Sequence, residues 1–522
     1  MSEPADQIDF SGILKYTRLA EPGLDAPPSP DSLDEFKTTQ IEGLSMLTVF
    51  VETATEAVKN GTAGNGASRD PAIRKLIQDE IARLDAIIFR QLNDVLHHED
   101  FQALEASWRG LHHLVDKAET SSRLKLRVLD IGKEELKKDL EDAVEFDQSK
   151  LFKKVYEDEY GTLGGKPYGC LIGDYAFSRT TPDIKMLGKI AEVAAAAHAP
   201  FIAAADPGLF DMDDFRDLPR PRDLGKIFET STMAEWRALR ESEDSRYLTL
   251  VLPRVLMRLP YDKKENPVER MDFTEEVGEP SAASGGHTAQ DDDPALDPKS
   301  NKYLWGNPAY VLGERIANAF ALYNWTAAIR GIEGGGKVEG LPLHKYKTLR
   351  GDKTVYIPTE VAITDRREKE LSDQGFITLV YCKDTNYAAF FGGQTVNKPK
   401  KYNKASANSN AELSARLPYI LNASRFAHYI KVMMRDKIGR FMTKENVQTY
   451  LTTWISDYVL AKDDSGQSIK AQYPLREARI DVSDIPGRPG EYTATIFLRP
   501  HFQLEGLTAS LRLVAELPAP VA

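Results

Sequence analysis

From Leu124 to about Pro260, short apolar runs alternate with amphipathic ones, and that order constrains the fold more than any other feature of the chain. Leu124, Leu126, Val128 and Leu129 predict a strand, Lys133 to Val144 a helix, and Tyr168 to Asp174 a buried strand. An Ala-rich helix is expected over Asp183 to His198 and a strand over Pro200 to Ala205. Another strand, Tyr247 to Leu252, follows the helix that holds Trp236. Strand and helix in turn favour a sheet covered by helices on both faces. The alternation resumes at Tyr303, with a helix from about Pro308 to Trp325 and strands near Ala327 to Ile332 and Ile377 to Tyr381. Helices follow over Asn410 to Asp436, broken at Pro418, and over Lys444 to Leu460. At 522 residues the chain exceeds what one core fills, so two or three domains are expected.

The region before this alternation reads as helical. Ile8, Phe10, Ile13, Leu14 and Leu19 form a short apolar set, too short to be a stable helix alone. Pro22 to Pro30 breaks the chain, and Ser32 with Glu35 then has the spacing of a capping box. Asp70-Pro71 marks a second helix start, with Asp as N-cap and Pro at the first helical position. Its apolar stripe is Ile73, Ile77, Ile81, Leu84, Ile88, Leu92 and Val95. A third helix, Phe101 to Ala118, carries Leu104, Trp108, Leu111 and Val115. Met271 to Pro298 holds eight acidic residues and no lysine or arginine, and is expected to be a disordered surface insertion. The fold class is therefore α/β. A flexible arm (1–30) and a helical region (31–120) precede a two-part three-layer α/β domain (121–260 and 303–470). The acidic insertion (261–302) interrupts that domain, and terminal strands (471–522) end the chain.

Those terminal strands are Ala478 to Val482, Glu491 to Arg499 and Thr508 to Glu516. Pro486-Gly487-Arg488-Pro489-Gly490 is a turn signal between the first two. In the last run Leu511, Leu513 and Ala515 face one way and Ser510, Arg512 and Glu516 the other. Spacing alone leaves two readings open: a hairpin closing the domain's own sheet, or strands that join the sheet of a neighbour.

Composition excludes several functions. A net charge of -12 argues against nucleic acid, whose phosphates demand clustered positive charge, and against anionic membrane surfaces. No window approaches 18 apolar residues, so no membrane insertion is expected. Cys170 and Cys382 supply neither a disulfide framework nor zinc spacing, which fits a reducing, cytoplasmic compartment. His97-His98 and His112-His113 could suggest a metal site, yet adjacent histidines point about 100° apart on a helix. Neither pair has the spacing of helix-borne zinc ligands, so surface histidines are expected. Gly334-Gly335-Gly336-Lys337 is followed by Val338 where a phosphate loop needs Ser or Thr, and reads as a turn. No hydrolase elbow, paired carboxylates or catalytic cysteine stands out, so no cofactor, metal or catalytic residue is assigned. The dense mixed-charge runs Arg240 to Arg246 and Asp365 to Glu370 are expected to be solvated faces or a protein interface that re-forms cheaply.

Several motifs then carry a specific resemblance. They are Leu96 to Leu111 (LHHEDFQALEASWRGL), Glu145 to Ser149 (EFDQS), Arg240 to Tyr247 (RESEDSRY) and Pro358 to Leu371 (PTEVAITDRREKEL). Ala415 to Tyr419 (ARLPY), Ser424 to Tyr429 (SRFAHY) and Leu498 to Leu504 (LRPHFQL) complete the set. In this order the chain resembles the large subunit of the contractile sheath of bacterial type VI secretion systems, from about residue 70 to the end. The acidic insertion is longer than that pattern, and the arm before Ser32 matches only loosely. The resemblance implies a mechanical, non-enzymatic role. Such subunits pair with a small sheath subunit, polymerise with neighbouring large subunits around an inner-tube protein on a baseplate, contract, and are recovered by an AAA+ ATPase. On this reading Ile77, Ile81, Leu84 and Ile88 meet the small subunit. Ile480, Val482, Thr495, Phe497, Leu511 and Leu513 pair strands between subunits, and Phe10, Ile13 and Leu14 dock the ATPase. The alternatives are a sheath protein of another phage-tail-like injection particle, or an enzyme whose site is unmarked in sequence.

Overall fold

A computed structural model describes residues 70–220, 223–269, 271–277, 302–347, 354–440, 442–462, 464–486 and 491–503. The chain divides into two compact units. One comprises Met1–Trp108, Met257–Trp305 and Leu349–Gly351; the other comprises Arg109–Leu256, Gly306–Thr348 and Asp352–Ala522.

The first unit is built on α1 (Asp70–Leu96) and the opening turns of α2 (Glu99–Lys117). The helix begins at Asp70-Pro71, as the capping signal requires. Glu99 and Asp100 in the first turn of α2 and Lys117 in its last complement the helix dipole. A strap of chain after Met257 completes the unit. The Phe273 ring meets Phe89 edge to face at 5.5 Å and is 1% exposed. Residues 271–277 therefore depart from the expected disorder, because an aromatic ring in an otherwise acidic run has found apolar cover. Residues 278–300 lie outside the described residues.

In the second unit a six-stranded sheet is assembled from β1 (Leu171–Phe177), β2 (Phe201–Ala205), β3 (Leu248–Leu252), β4 (Lys337–Glu339), β5 (Phe376–Tyr381) and β6 (Tyr387–Phe390). Its order is β1-β2-β3-β5-β6-β4: the first four are parallel and the last two antiparallel. β2 (FIAAA) and β3 (LTLVL) are buried at every position, the continuous apolar pattern of parallel strands covered on both faces. Phe201, Ala203, Leu248 and Leu250 point into one core with Ile184 and Leu187 of α4 (Thr181–Ala197). On the other face α6 (Ala309–Tyr323) approaches so closely that a Cβ at Gly313 would lie 2.4 Å from Ile172. Helix, sheet, helix is the three-layer arrangement that the sequence predicts. α3 (Lys133–Asp142) precedes β1, α5 (Ala234–Glu241) precedes β3, and α7 (Asp365–Asp373) precedes β5.

Two predicted strands do not form. Leu124 to Leu129 is neither helix nor strand and has no ladder partner among the described residues. Ala327 to Ile332 enters a tight turn instead, because Gly331 and Gly335 adopt φ values of 68° and 91° that fold the chain back on itself. The helix expected over Asn410 to Asp436 with a break at Pro418 is two helices, Ala405–Ser414 and α8 (Leu417–Arg435), with Pro418 in the first turn of the second.

A second core sits in the C-terminal part of this unit. Trp325 stacks on Phe426 of α8 at 4.4 Å, and Val447, Leu451 and Ile455 of α9 (Lys444–Ser456) pack beside them. Against this core lies a hairpin of β7 (Leu475–Asp484) and β8 (Tyr492–Pro500), whose register runs from Leu475↔Pro500 to Asp484↔Tyr492.

Candidate functional site

Ile81, Leu84 and Ile88 of α1 fall at a spacing that places them along one helix face, and they are 52%, 46% and 50% exposed. Leu104 and Trp108 of α2 are more exposed still, at 57% and 66%. Burying one such side chain contributes about 1.5–3 kcal/mol, so an apolar set of this size favours association with a partner. Ile77 belongs to the same helix, but its side chain lies outside those described. Three of the four residues expected to meet the small subunit therefore share one accessible row.

The first unit also holds a buried charge cluster that sequence reading missed. Arg258 donates to Glu105 at 2.8 Å and to both carboxylate oxygens of Glu275, at 2.5 and 3.2 Å. Glu275 further accepts the Tyr261 backbone N–H at 3.0 Å and lies 3.3 Å from His97 Nε2. Burial opposes its ionisation, but hydrogen bonds from His97 and Arg258, with the Arg258 charge, hold the carboxyl down to about 2. The Glu276 N–H donates to Asn93 at 2.8 Å, so the start of the acidic stretch is fastened to α1 at Glu276 and to His97, just beyond that helix, at Glu275. The one available signal was an aromatic two residues before an acid, Phe273 and Glu275, inside a polar run.

In the second unit Glu360 is buried against Arg254 at 2.5 Å, with Asp214 and Arg216 paired beside it at 2.8 Å. Burial outweighs the Arg254 charge and pushes the Glu360 carboxyl up to about 7. The mixed-charge run at Arg240 is only partly the expected solvated face. Glu241 and Glu243 are exposed, whereas Arg240 is buried and donates to Val396 O at 3.0 Å, Gln374 Oε1 at 2.9 Å and Asp373 O at 3.2 Å. In the second run, on α7, Arg366 and Arg367 pair with Glu370 at 2.9 and 2.5 Å.

The hairpin separates its predicted residues by face. Ile480 and Val482 are 1% and 4% exposed, packed into the core that contains Leu451 and Ile455. Thr495 and Phe497, opposite Asp481 and Arg479 in the ladder, are exposed. Pairing within the hairpin uses one edge of each strand; the other edge of β7 is bridged at Leu475 by Val459, and the other edge of β8 has no sheet partner among the described residues. Leu511, Leu513, Phe10, Ile13 and Leu14 lie outside the described residues. Among those described, no group of three His, Cys, Asp or Glu side chains is placed to hold a metal. Lys337 of the Gly-rich turn pairs with Glu339 at 2.5 Å and sits 4.4 Å from the Tyr387 ring centroid.

The architecture described above coincides with two family models. Residues 78–397 match the EvpB/VC_A0108 tail sheath N-terminal domain, and residues 406–517 match the EvpB/VC_A0108 tail sheath gpW/gp25-like domain. Together they define the class of contractile tail sheath proteins. A curated relative, the type VI secretion system sheath protein TssC1 of Pseudomonas aeruginosa, is 48% identical over 448 residues, 85% of this chain and 86% of that protein. The chain thus belongs to the large-subunit family of type VI contractile sheaths. Among solved structures, the anti-feeding prophage baseplate aligns at TM-score 0.35 and 10% identity, over 64% of this chain and 67% of that one. A contracted PVC sheath complex of an extracellular contractile injection system aligns at 0.34 and 9%, over 63% and 68%.

Proposed function

We propose that this chain works mechanically. It pairs with a small sheath subunit through the row containing Ile81, Leu84 and Ile88, and the heterodimers polymerise into a helical tube around an inner-tube protein on a baseplate. Contraction drives the inner tube outward from the bacterial cytoplasm, with no catalytic step in this chain. An AAA+ ATPase then recovers spent subunits through the arm at Phe10, Ile13 and Leu14. The observation that carries this reading is the 48% identity to a sheath protein across 85% of the chain. The open edge of β8, and that of β7 beyond Leu475, support strand pairing between subunits, since each added backbone hydrogen bond contributes roughly 0.5–1.5 kcal/mol.

Co-expression with the small subunit, followed by electron microscopy, tests the reading. The full chain should yield tubes. A chain lacking Thr508 to Ala522 should yield soluble heterodimers and no tubes, and normal tubes from it would overturn the strand linkage. A chain lacking Ile8 to Leu19 should assemble and contract but persist in the contracted form.

A further inference from the structure

Residues 125–130, between α2 and α3, belong to no helix or strand, yet their neighbourhood keeps a strand-like alternation. Arg123, Lys125 and Arg127 are exposed, while Leu124 and Leu126 are half-buried. No backbone N–H or C=O of residues 125–130 has a hydrogen-bond partner among the described residues. Side chains hold the segment in place nonetheless. Arg127 binds Glu159 and the Tyr168 hydroxyl, and the Tyr175 hydroxyl of β1 donates to Ile131 O at 2.7 Å. A segment fixed by its side chains, with its backbone groups vacant, is a template for an added strand. Val128 and Leu129, 69% and 52% exposed, leave apolar surface beside it.

Charge indicates what the added strand carries. The Lys166 ammonium sits beside Lys125 and holds it below the usual lysine range. Glu159 is already engaged by Arg127 and by the Lys166 backbone N–H at 2.7 Å, and the segment's own acid, Asp130, lies at its opposite end from Lys125. Two cations side by side repel unless an anion arrives. The strand-like runs of this chain do not supply one. β8 has no acidic residue between Tyr492 and Pro500, β7 mixes Glu477 and Asp481 with Arg479, and Thr508 to Glu516 carries Arg512 ahead of its single acid. The acidic stretch from Glu279 to Asp297 holds Pro280, Gly285, Gly286 and Pro294, a composition poor for a strand.

We infer that residues 125–130 are a docking edge for a β-strand of a different polypeptide, one alternating acidic with apolar side chains. Its main chain fills the vacant backbone groups, its acids face Lys125 and Lys166, and its apolar side chains cover Val128 or Leu129. The inference goes beyond the sheath reading and stands or falls without it. Hydrogen exchange of the full chain, read by mass spectrometry, tests it with two short synthetic peptides, one alternating valine with glutamate and one alternating valine with lysine. The glutamate peptide should slow exchange at residues 125–130 on the order of tenfold or more, and the lysine peptide should not. Replacing both exposed lysines, Lys125→Glu with Lys166→Glu, should reverse the preference while exchange in β1 to β3 stays unchanged. No slowing by either peptide, equal slowing by both, or a preference that survives the double substitution would each overturn the inference.

Discussion

Glu275 and His428 are buried titratable groups whose surroundings fix their charge in opposite senses. Glu275 is held ionised, with its carboxyl down at about 2 against an ordinary 4.5. The stability it contributes is present above the ordinary value and lost as pH falls from about 4.5 to about 2. That difference corresponds to about 3 kcal/mol, since one pKa unit is worth about 1.4 kcal/mol. Glu275→Gln should cost about 3–5 kcal/mol at neutral pH, because Arg258 loses one of the two carboxylates that balance its buried charge, and should flatten the stability profile below pH 4.5. Urea midpoints measured across that range check both outcomes. His428 is held neutral: burial lowers it from 6.5 to about 4, and its Nε2 donates to Ala197 O at 2.9 Å. Between pH 6.5 and 4 the unfolded chain takes up a proton that the folded chain refuses, so stability falls as pH drops through that window. His428→Gln keeps a donor toward Ala197 and should remove this slope, an outcome that thermal melts at pH 4.5 and 7 would show.

At the scale of elements, the β7–β8 hairpin distinguishes residues that hold the chain together from residues free to hold something else. Ile480→Ala empties a site packed against α9 and should cost about 2–5 kcal/mol in urea unfolding. Phe497→Ala, on the exposed side, should change the stability of the isolated chain by roughly 0.5 kcal/mol or less yet reduce tube yield on co-expression. Periodicity found this hairpin, the helices and the parallel strands, because each buries a face whose period is written in its apolar residues. It failed where local pattern and tertiary partner part company. Leu124 to Leu129 alternates like a strand, but alternation does not supply a neighbouring strand to complete the ladder. At Ala327 to Ile332 an apolar run ends in glycines whose positive φ turns the chain before any ladder forms. The exposed apolar row at Ile81, Leu84 and Ile88 was legible, since residues at that spacing share one helix face. The Arg258–Glu105–Glu275 cluster was not: its members lie 153 and 17 residues apart, and no spacing rule links them.

At the scale of the whole molecule, each of the two units carries surface that its own residues leave uncovered. Leu84→Asp with Ile88→Asp should leave the circular dichroism of the chain unchanged, because both residues already expose about half their surface to water, and abolish capture of the small subunit in a pull-down. Capture at the level of the unsubstituted chain would remove α1 from the interface. The hairpin raises a further question, of force. β7 is fixed along its length by Ile480 and Val482, while β8 is joined to it by a ladder that extends from Asp484↔Tyr492 to Leu475↔Pro500. A pull on the chain beyond Pro500, directed along β8, would drag that strand lengthwise past its anchored neighbour. The rungs would then share the load and yield together, as in a lap joint under shear. The same pull at right angles would peel them one by one from Pro500 inward. The direction in which a neighbour tugs, more than how tightly it grips, would then decide whether this joint holds through a stroke.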